Sequence, residues 1–139
     1  MIRNRKLHLL AATFGALSAC TLDEDATRID AQRGQALFAA NCAQCHGADA
    51  GGAGPESLGL GAPPPSLRQL SINNDGIFPR DYVMDTIGGL TFHNMRTAAM
   101  PDFSTCNLGP AVQIDRDGRM VAIPAGVVAL TNYLETLQD

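Results

Sequence analysis

The sequence has no tryptophan and only seven aromatic residues among 139, five phenylalanines and two tyrosines. So few aromatic side chains fill a domain core thinly, which leaves room for a non-protein group at its centre. No apolar run reaches the roughly 18 residues that a membrane-spanning helix requires. With 45% apolar and 17% charged residues, the composition excludes a disordered chain. The length fits one small domain.

Lysine is almost absent, since Lys6 is the single one in the sequence. The chain carries 10 basic and 14 acidic side chains, for a net charge of −4. Nucleic-acid binding normally needs a basic surface. We therefore expect no nucleic-acid partner.

The first twenty residues resemble a bacterial lipoprotein signal. Three basic residues precede the apolar stretch Leu7–Leu17, which has signal-peptide length. The stretch leads into Leu-Ser-Ala-Cys, which resembles a lipobox, where a peptidase cuts before a cysteine that carries diacylglycerol. Cys20 is then the lipidated residue, 1–19 the signal peptide, 20–29 an acidic tether and 30–139 the folded domain. The alternative is an ordinary secretory signal with an unmodified Cys20.

Cleavage before Cys20 changes the charge and sets the location. Residues 1–19 hold three basic residues and no acidic one, so the mature chain has 7 basic and 14 acidic groups, net −7. A lipidated cysteine predicts attachment to the periplasmic side of a bacterial membrane. In enteric bacteria an aspartate after the cysteine retains lipoproteins at the inner membrane. Thr21 therefore favours the outer membrane, although sorting rules differ between bacteria.

Helix signals stand near both ends of the domain. Asp30 is suited to cap a helix that begins at Ala31, and helical spacing predicts that this one helix continues into residues 42–46. Residues 50–65 are rich in Gly, Ala and Pro and predict a loop. Pro79 is suited to begin a helix that stops at Gly88.

The C-terminal third combines a hairpin with a helix. Two short apolar runs flank an Asp-Gly pair within Val112–Ile123, which predicts a small β-hairpin. Pro124 then opens a last helix. Its apolar stripe has Tyr133 beside it.

The strongest motif is Cys-Ala-Gln-Cys-His at residues 42–46. C-x-x-C-H is typical of covalent attachment of c-type haem. Positions three and four apart share a helix face, so Cys42 and Cys45 can both add to the haem vinyl groups while His46 binds the iron. The motif thus predicts one covalent haem c.

Three other interpretations of the motif fit less well. A thioredoxin-type pair needs a βαβ setting and no adjacent histidine. A zinc site needs four ligands, typically a second pair at metal spacing, and only Cys106 and scattered histidines remain. A disulfide would leave an odd thiol after lipidation. Export also favours haem, because c-type maturation takes place outside the cytoplasm.

A second iron ligand must come from elsewhere in the chain. Met84 is expected in the core of its helix, and Met120 belongs to the hairpin, so Met95 and Met100 are the methionine candidates. Pro101 favours an extended conformation at Met100, which suits a loop residue whose side chain points inward. His93 is a rival ligand.

The region from about Asp30 to the C-terminus resembles the class I cytochromes c. The resemblance rests on Gly34 and Phe38 before the haem motif, on Met-Pro-Asp-Phe at 100–103, and on Tyr133 in the last helix. It implies an all-α fold of three to five helices around one haem, with the hairpin as an addition. The last helix would then cross the first helix at Gly34, with Tyr133 packed against that glycine.

The resemblance also implies roles for single residues. Met100 would supply the distal sulfur, Phe103 would pack against the haem edge, and the carbonyl of Pro55 would accept the imidazole N–H of His46. Cys106 lies outside the family pattern, and we expect a buried or half-buried free thiol, with an interchain disulfide or a redox role as the alternatives. Arg68 is a candidate partner for a haem propionate, with a solvated surface position as the alternative.

His46 and Met100 together would leave no open iron position, which predicts an electron carrier rather than an enzyme. Its partners would be a redox donor and a redox acceptor, with no small-molecule substrate. Two alternatives remain. One is a haem-bearing subunit of a respiratory or dehydrogenase complex, and the other is a haem enzyme or sensor with an open distal site.

Overall fold

The computed structural model describes residues 24–61, 63–89, 100–101, 103 and 106–139. The predicted signal peptide and Cys20 lie outside this part of the chain. The described helices are, in order, α1 (Glu24–Thr27), α2 (Ala31–Asn41), α3 (Ala43–His46), α4 (Arg80–Ile87) and α5 (Ala125–Thr136). Three 3₁₀ turns span Pro55–Gly59, Leu67–Gln69 and Ile72–Asn74, and the strands are β1 (Ala111–Arg116) and β2 (Arg119–Pro124).

The start of α2 confirms the predicted cap. The Asp30 side chain accepts a hydrogen bond of 3.0 Å from the backbone N–H of Arg33. The predicted continuation into the cysteine motif is wrong, because α2 ends at Asn41. Cys42 lies between α2 and α3 and has a φ angle of −119°. The chain therefore turns at Cys42, and a separate short helix carries Cys45 and His46.

Helices α2 and α5 cross at Gly34, as the resemblance predicted. A Cβ atom at this position would lie 2.6 Å from the carbonyl carbon of Ala129 and 2.7 Å from Cβ of Tyr133. Only glycine lets the two backbones approach this closely. One helical turn further, the rings of Phe38 and Tyr133 pack with their centroids 5.5 Å apart.

Helix α5 supplies the largest share of the apolar core among the described elements. It begins after Pro124, as predicted, and eight of its residues are buried: Ala125, Gly126, Val127, Val128, Ala129, Leu130, Thr131 and Leu134. Met84, expected in the core, is 1% exposed. No helix among the described residues is long and apolar enough to cross a bilayer.

The predicted hairpin is confirmed. Strands β1 and β2 are antiparallel, with Ala111 opposite Pro124 and Arg116 opposite Arg119. The two connecting residues, Asp117 and Gly118, have φ values of 54° and 78°. Positive φ at both positions gives the tight turn whose twist matches a hairpin. The domain is thus mostly helical, with one small sheet before the last helix.

The predicted tether is ordered over its second half. Residues 20–29 were expected to be a polar linker, but Glu24–Thr27 form α1, which packs against α5. The side-chain amide of Asn132 donates a hydrogen bond of 2.5 Å to the carbonyl of Ile29. Helix α1 therefore packs against the domain from within the segment predicted to be a tether.

Candidate haem site

The cysteine motif keeps helical hydrogen bonding although the helix is interrupted. The backbone N–H groups of Cys45 and His46 donate to the carbonyl of Cys42, at 3.1 and 2.9 Å. The spacing of three and four residues therefore still places the three side chains on one side. Cys42, Cys45 and His46 are all half-buried and line the same cleft.

The loop after His46 holds α3 in position. Its backbone N–H groups satisfy carbonyls at the end of α3: Gly52 donates to His46 at 2.8 Å, and Gly54 donates to Cys45 at 3.0 Å. The approach is so close that a Cβ at Gly54 would lie 2.6 Å from the carbonyl oxygen of Ala43. These contacts fix the direction in which α3 presents its side chains.

The cleft has a volume of about 360 Å³ and is lined mostly by apolar side chains. Helix α4 forms one wall with four of its residues, and α5 forms another with two. The wall residues are Tyr82, Val83, Thr86 and Ile87 from α4, and Leu130 and Leu134 from α5. An apolar cleft that also holds two thiols and an imidazole suits a large planar cofactor.

Met100 and Phe103 line this cleft too, although residues 90–99 between α4 and Met100 are outside the described part. Met100 is half-buried, as is Phe103. The structure therefore brings the preferred methionine to the same cavity as His46. The two rival ligands, His93 and Met95, fall within the segment that is not described.

His46 is half-buried in the cleft. Its Nδ1 atom is buried and has no hydrogen-bond partner of normal geometry. Burial lowers the pKa of His46, and the backbone carbonyl of Pro65 partly offsets this effect. A neutral imidazole is the form that binds iron.

The proline beside His46 is Pro65, not Pro55. Pro55 opens an exposed 3₁₀ turn, whereas Pro64 and Pro65 line the cleft. The backbone at Gly52, in the loop after His46, packs closely against residues 64–65. A Cβ atom at Gly52 would lie only 3.2 Å from the carbonyl carbon of Pro65. The second loop is thereby pressed against the first, next to the imidazole.

Burial in the cleft raises the pKa of the Cys42 thiol and so favours its protonated form. Burial, with a smaller contribution from Cys45, raises the pKa of Cys42 to about 11. A thiol with a raised pKa stays protonated at neutral pH.

Cys106 is an exposed free thiol, which corrects the expectation of a buried one. Leu108, two positions later, enters the core instead and is 5% exposed. The N–H of Gly126 donates to the carbonyl of Leu108 at 2.7 Å, which fixes this part of the chain against α5. Cys106 is left outside that contact.

Arg68 is engaged with the C-terminus of the domain. Its Nη2 atom lies 2.6 Å from Oδ1 of Asp139, and both side chains are partly exposed. Hydrogen bonding and charge attraction from Asp139 raise the pKa of Arg68. Arg68, the candidate partner for a haem propionate, is thus already paired with the carboxylate of Asp139.

A family model for cytochrome c matches residues 31–138, which is most of the chain. The chain belongs to the cytochrome c family. Neither the curated proteins nor the solved structures that were searched contain a match to this cytochrome c.

Cytochromes c carry haem c bound covalently, and the residues of this cytochrome c fit that group. Cys42 and Cys45 would hold the porphyrin, since they stand three residues apart on one side of an apolar cleft. His46 follows at once and has an imidazole that burial keeps neutral. Bound haem supplies an iron that exchanges single electrons.

Two features of the cytochrome c site were not predicted. The first is α4 as a wall of the cleft, although its spacing of apolar residues at 83 and 87 indicated one buried face. The second is the pair of carboxylates, Asp81 and Asp85, on another side of α4. Both lie within contact distance of Arg116 in the hairpin. No local sequence signal joins residues so far apart.

Proposed function

We propose that this cytochrome c is a one-electron carrier with His46 and Met100 as iron ligands, held by a lipid on Cys20 at the periplasmic side of a bacterial membrane. One observation carries the ligand assignment: Met100 lines the same apolar cleft as Cys42, Cys45 and His46. Two protein ligands leave the iron without an open position for a substrate. That favours electron transfer over catalysis.

The rim of the cleft supports a brief encounter with a protein partner. Leu60 and Tyr82 line the cleft and are also 37% and 60% exposed. A small apolar rim fits a transient redox complex, which buries little area. Because the mature chain would carry a net charge of −7, we expect a neutral or basic docking face on the partner.

The ligand assignment is tested on the haem-loaded protein by oxidised absorption spectra and by carbon monoxide binding to the reduced form. We expect the sulfur-to-iron charge-transfer band and no carbon monoxide binding. Met100→Ala should lose the band and bind carbon monoxide. Met120→Ala is the matched control, because Met120 lies on the hairpin and is 60% exposed.

Two results would overturn the assignment. One is a Met100→Ala protein with an unchanged spectrum and potential, and the other is loss of the band in Met95→Ala. If the wild-type protein lacks the band and binds carbon monoxide, an enzyme or sensor with an open iron position replaces the carrier.

The lipid anchor is tested separately. Mass spectrometry of the mature N-terminal peptide should show an acylated Cys20, and Cys20→Ala should release the haem-loaded protein from membranes. A Cys20→Ala protein that stays with the membrane would contradict a lipid tether. Its co-purification with a solubilised complex would instead favour a fixed subunit.

A further inference from the structure

Arg116 connects the hairpin to α4 through two carboxylates. Its Nη1 atom lies 2.6 Å from Oδ1 of Asp85, and its Nε atom lies 3.2 Å from Oδ1 of Asp81. The two aspartates are four positions apart and therefore share one side of α4. The side chains of Arg116 and Asp85 are only 15% and 29% exposed, so solvent screens their contact less than that of an ordinary surface pair, whereas Asp81 is 56% exposed.

The helix that Arg116 holds is a wall of the haem cleft. Tyr82, Val83 and Ile87 are cleft residues of α4, which is eight residues long. A helix of that length is not stable by itself, so contacts with the rest of the protein determine its position. The ion pairs of Arg116 with Asp81 and Asp85 are among those contacts, and they hold α4 on the side that carries the two aspartates.

The same ion pair joins the two ends of the chain segment that contains Met100. Asp85 and Arg116 are 31 positions apart, and Met100 lies between them. Met100 is half-buried and lines the same cleft as Val83 and Ile87 of α4, so the position of α4 bears on the space around Met100.

We propose that Arg116 is a positioning residue for Met100: by binding Asp81 and Asp85, it keeps α4, a wall of the cleft that Met100 also lines, in the position that would let Met100 bind the haem iron. This inference rests on the proposed ligation by Met100. Arg116 does not line the cleft, so its effect passes through α4.

The test uses haem-loaded Arg116→Met, in which the long apolar side chain keeps the packing and removes the charge. We expect the fraction of protein without Met100 bound to rise about tenfold, which corresponds to about 1.4 kcal/mol. The readouts are a weaker sulfur-to-iron band, a lower reduction potential and the appearance of carbon monoxide binding. A purely structural role would lower stability and leave these three readouts unchanged.

Matched variants separate the contacts. Arg119→Met removes an exposed arginine of the same hairpin, which has no ion pair within the described residues, and should leave the band unchanged. Asp85→Asn should weaken the band more than Asp81→Asn, because Asp85 is closer to Arg116 and less exposed. Arg116→Lys should fall between Arg116→Met and the wild type, since an ammonium group cannot bind two carboxylates in the same geometry.

The outcomes distinguish this inference from the ligand assignment. If the wild-type protein has the band while Arg116→Met and Asp85→Asn both keep it at full strength, Arg116 is not a positioning residue and the ligation stands. If the wild-type protein lacks the band, Met100 is not the ligand and both proposals fall. Asp85→Asn is nearly isosteric and keeps the test decisive if Arg116→Met does not fold.

Discussion

Two sides of the haem cleft are held by different kinds of contact. On the helix-crossing side, formed by α2, α3 and α5, backbones touch directly, as at Gly34 and Gly54. On the ion-paired side, formed by α4, two arginines add ion pairs to the apolar packing: Arg80 connects α4 to α5, and Arg116 connects the hairpin to α4. Ion pairs between partly exposed groups contribute less than close backbone packing. The cysteines and His46 stand on the helix-crossing side, and Met100 follows α4 in the chain.

The largest effect is expected at the helix crossing. Gly34→Ala places a Cβ against the Ala129 carbonyl, so α2 and α5 must move apart. We expect the free energy of unfolding to fall by about 3 kcal/mol, the upper end for overpacking. Urea denaturation of the haem-loaded protein, followed by circular dichroism, measures it.

The control for that variant is Gly59→Ala, because a Cβ at Gly59 would meet nothing within 4 Å. It should leave the unfolding free energy nearly unchanged. A Gly34→Ala protein as stable as this control would show that the crossing is not tight, and the contrast between the two sides would disappear.

A smaller loss is expected on the ion-paired side. Arg80 pairs with Glu135 at 2.6 Å and also donates to Asn132, but both charged side chains are partly exposed. Arg80→Met should lower the free energy of unfolding by about 0.5 kcal/mol. High salt should remove most of the difference in the same urea experiment, because salt screens exposed charges. A loss as large as that of Gly34→Ala would contradict the comparison.

The third expectation concerns the loss of stability at low pH through Asp30, the residue that caps α2. Arg28 binds the Asp30 carboxylate at 2.7 Å, and with the backbone N–H of Arg33 it lowers the pKa of Asp30 from 3.8 to about 2. A lowered pKa means that the stabilisation is complete above pH 4 and is lost as the pH falls through about 2.

Asp30→Asn tests this, because asparagine also caps helices but does not titrate. Thermal melts between pH 5 and pH 2 should show a shallower loss of stability for the variant than for the wild type. Equal slopes for the two proteins would mean that Asp30 is not the group that titrates.

The smallest effect is expected at Cys106. Its thiol is exposed and free, so Cys106→Ser should change the unfolding free energy by less than about 0.5 kcal/mol. The spectrum of the haem should also stay the same. A large loss of stability in the urea experiment would show that the thiol is buried after all.

Features that depend on near neighbours in the sequence were predictable. The cap at Asp30 and the turn at Asp117-Gly118 each depend on a few consecutive residues, and both were confirmed. The interruption at Cys42 was not predictable in this way. Helical spacing continues through it, and the loop contacts that hold α3 come from Gly52 and Gly54, which donate to His46 and Cys45.

The errors concern contacts between distant residues. Several prolines follow the haem motif, and only the contact of Gly52 with residues 64–65 shows which of them reaches His46. The exposed position of Cys106 likewise follows from the contact of Leu108 with α5, where the N–H of Gly126 donates to the carbonyl of Leu108. The cysteine motif itself was clear because covalent attachment imposes a fixed spacing on consecutive residues.

If the proposed lipid is on Cys20, the position of α1 limits how far the domain can stand from the membrane. Glu24 belongs to the folded domain, and Cys20 precedes it by only four positions. Four fully extended residues span at most about 14 Å, less than half the roughly 30 Å thickness of the apolar part of a bilayer. With a lipid on Cys20, the domain would stay close to its membrane. Only donors and acceptors at the same membrane surface would come within its reach.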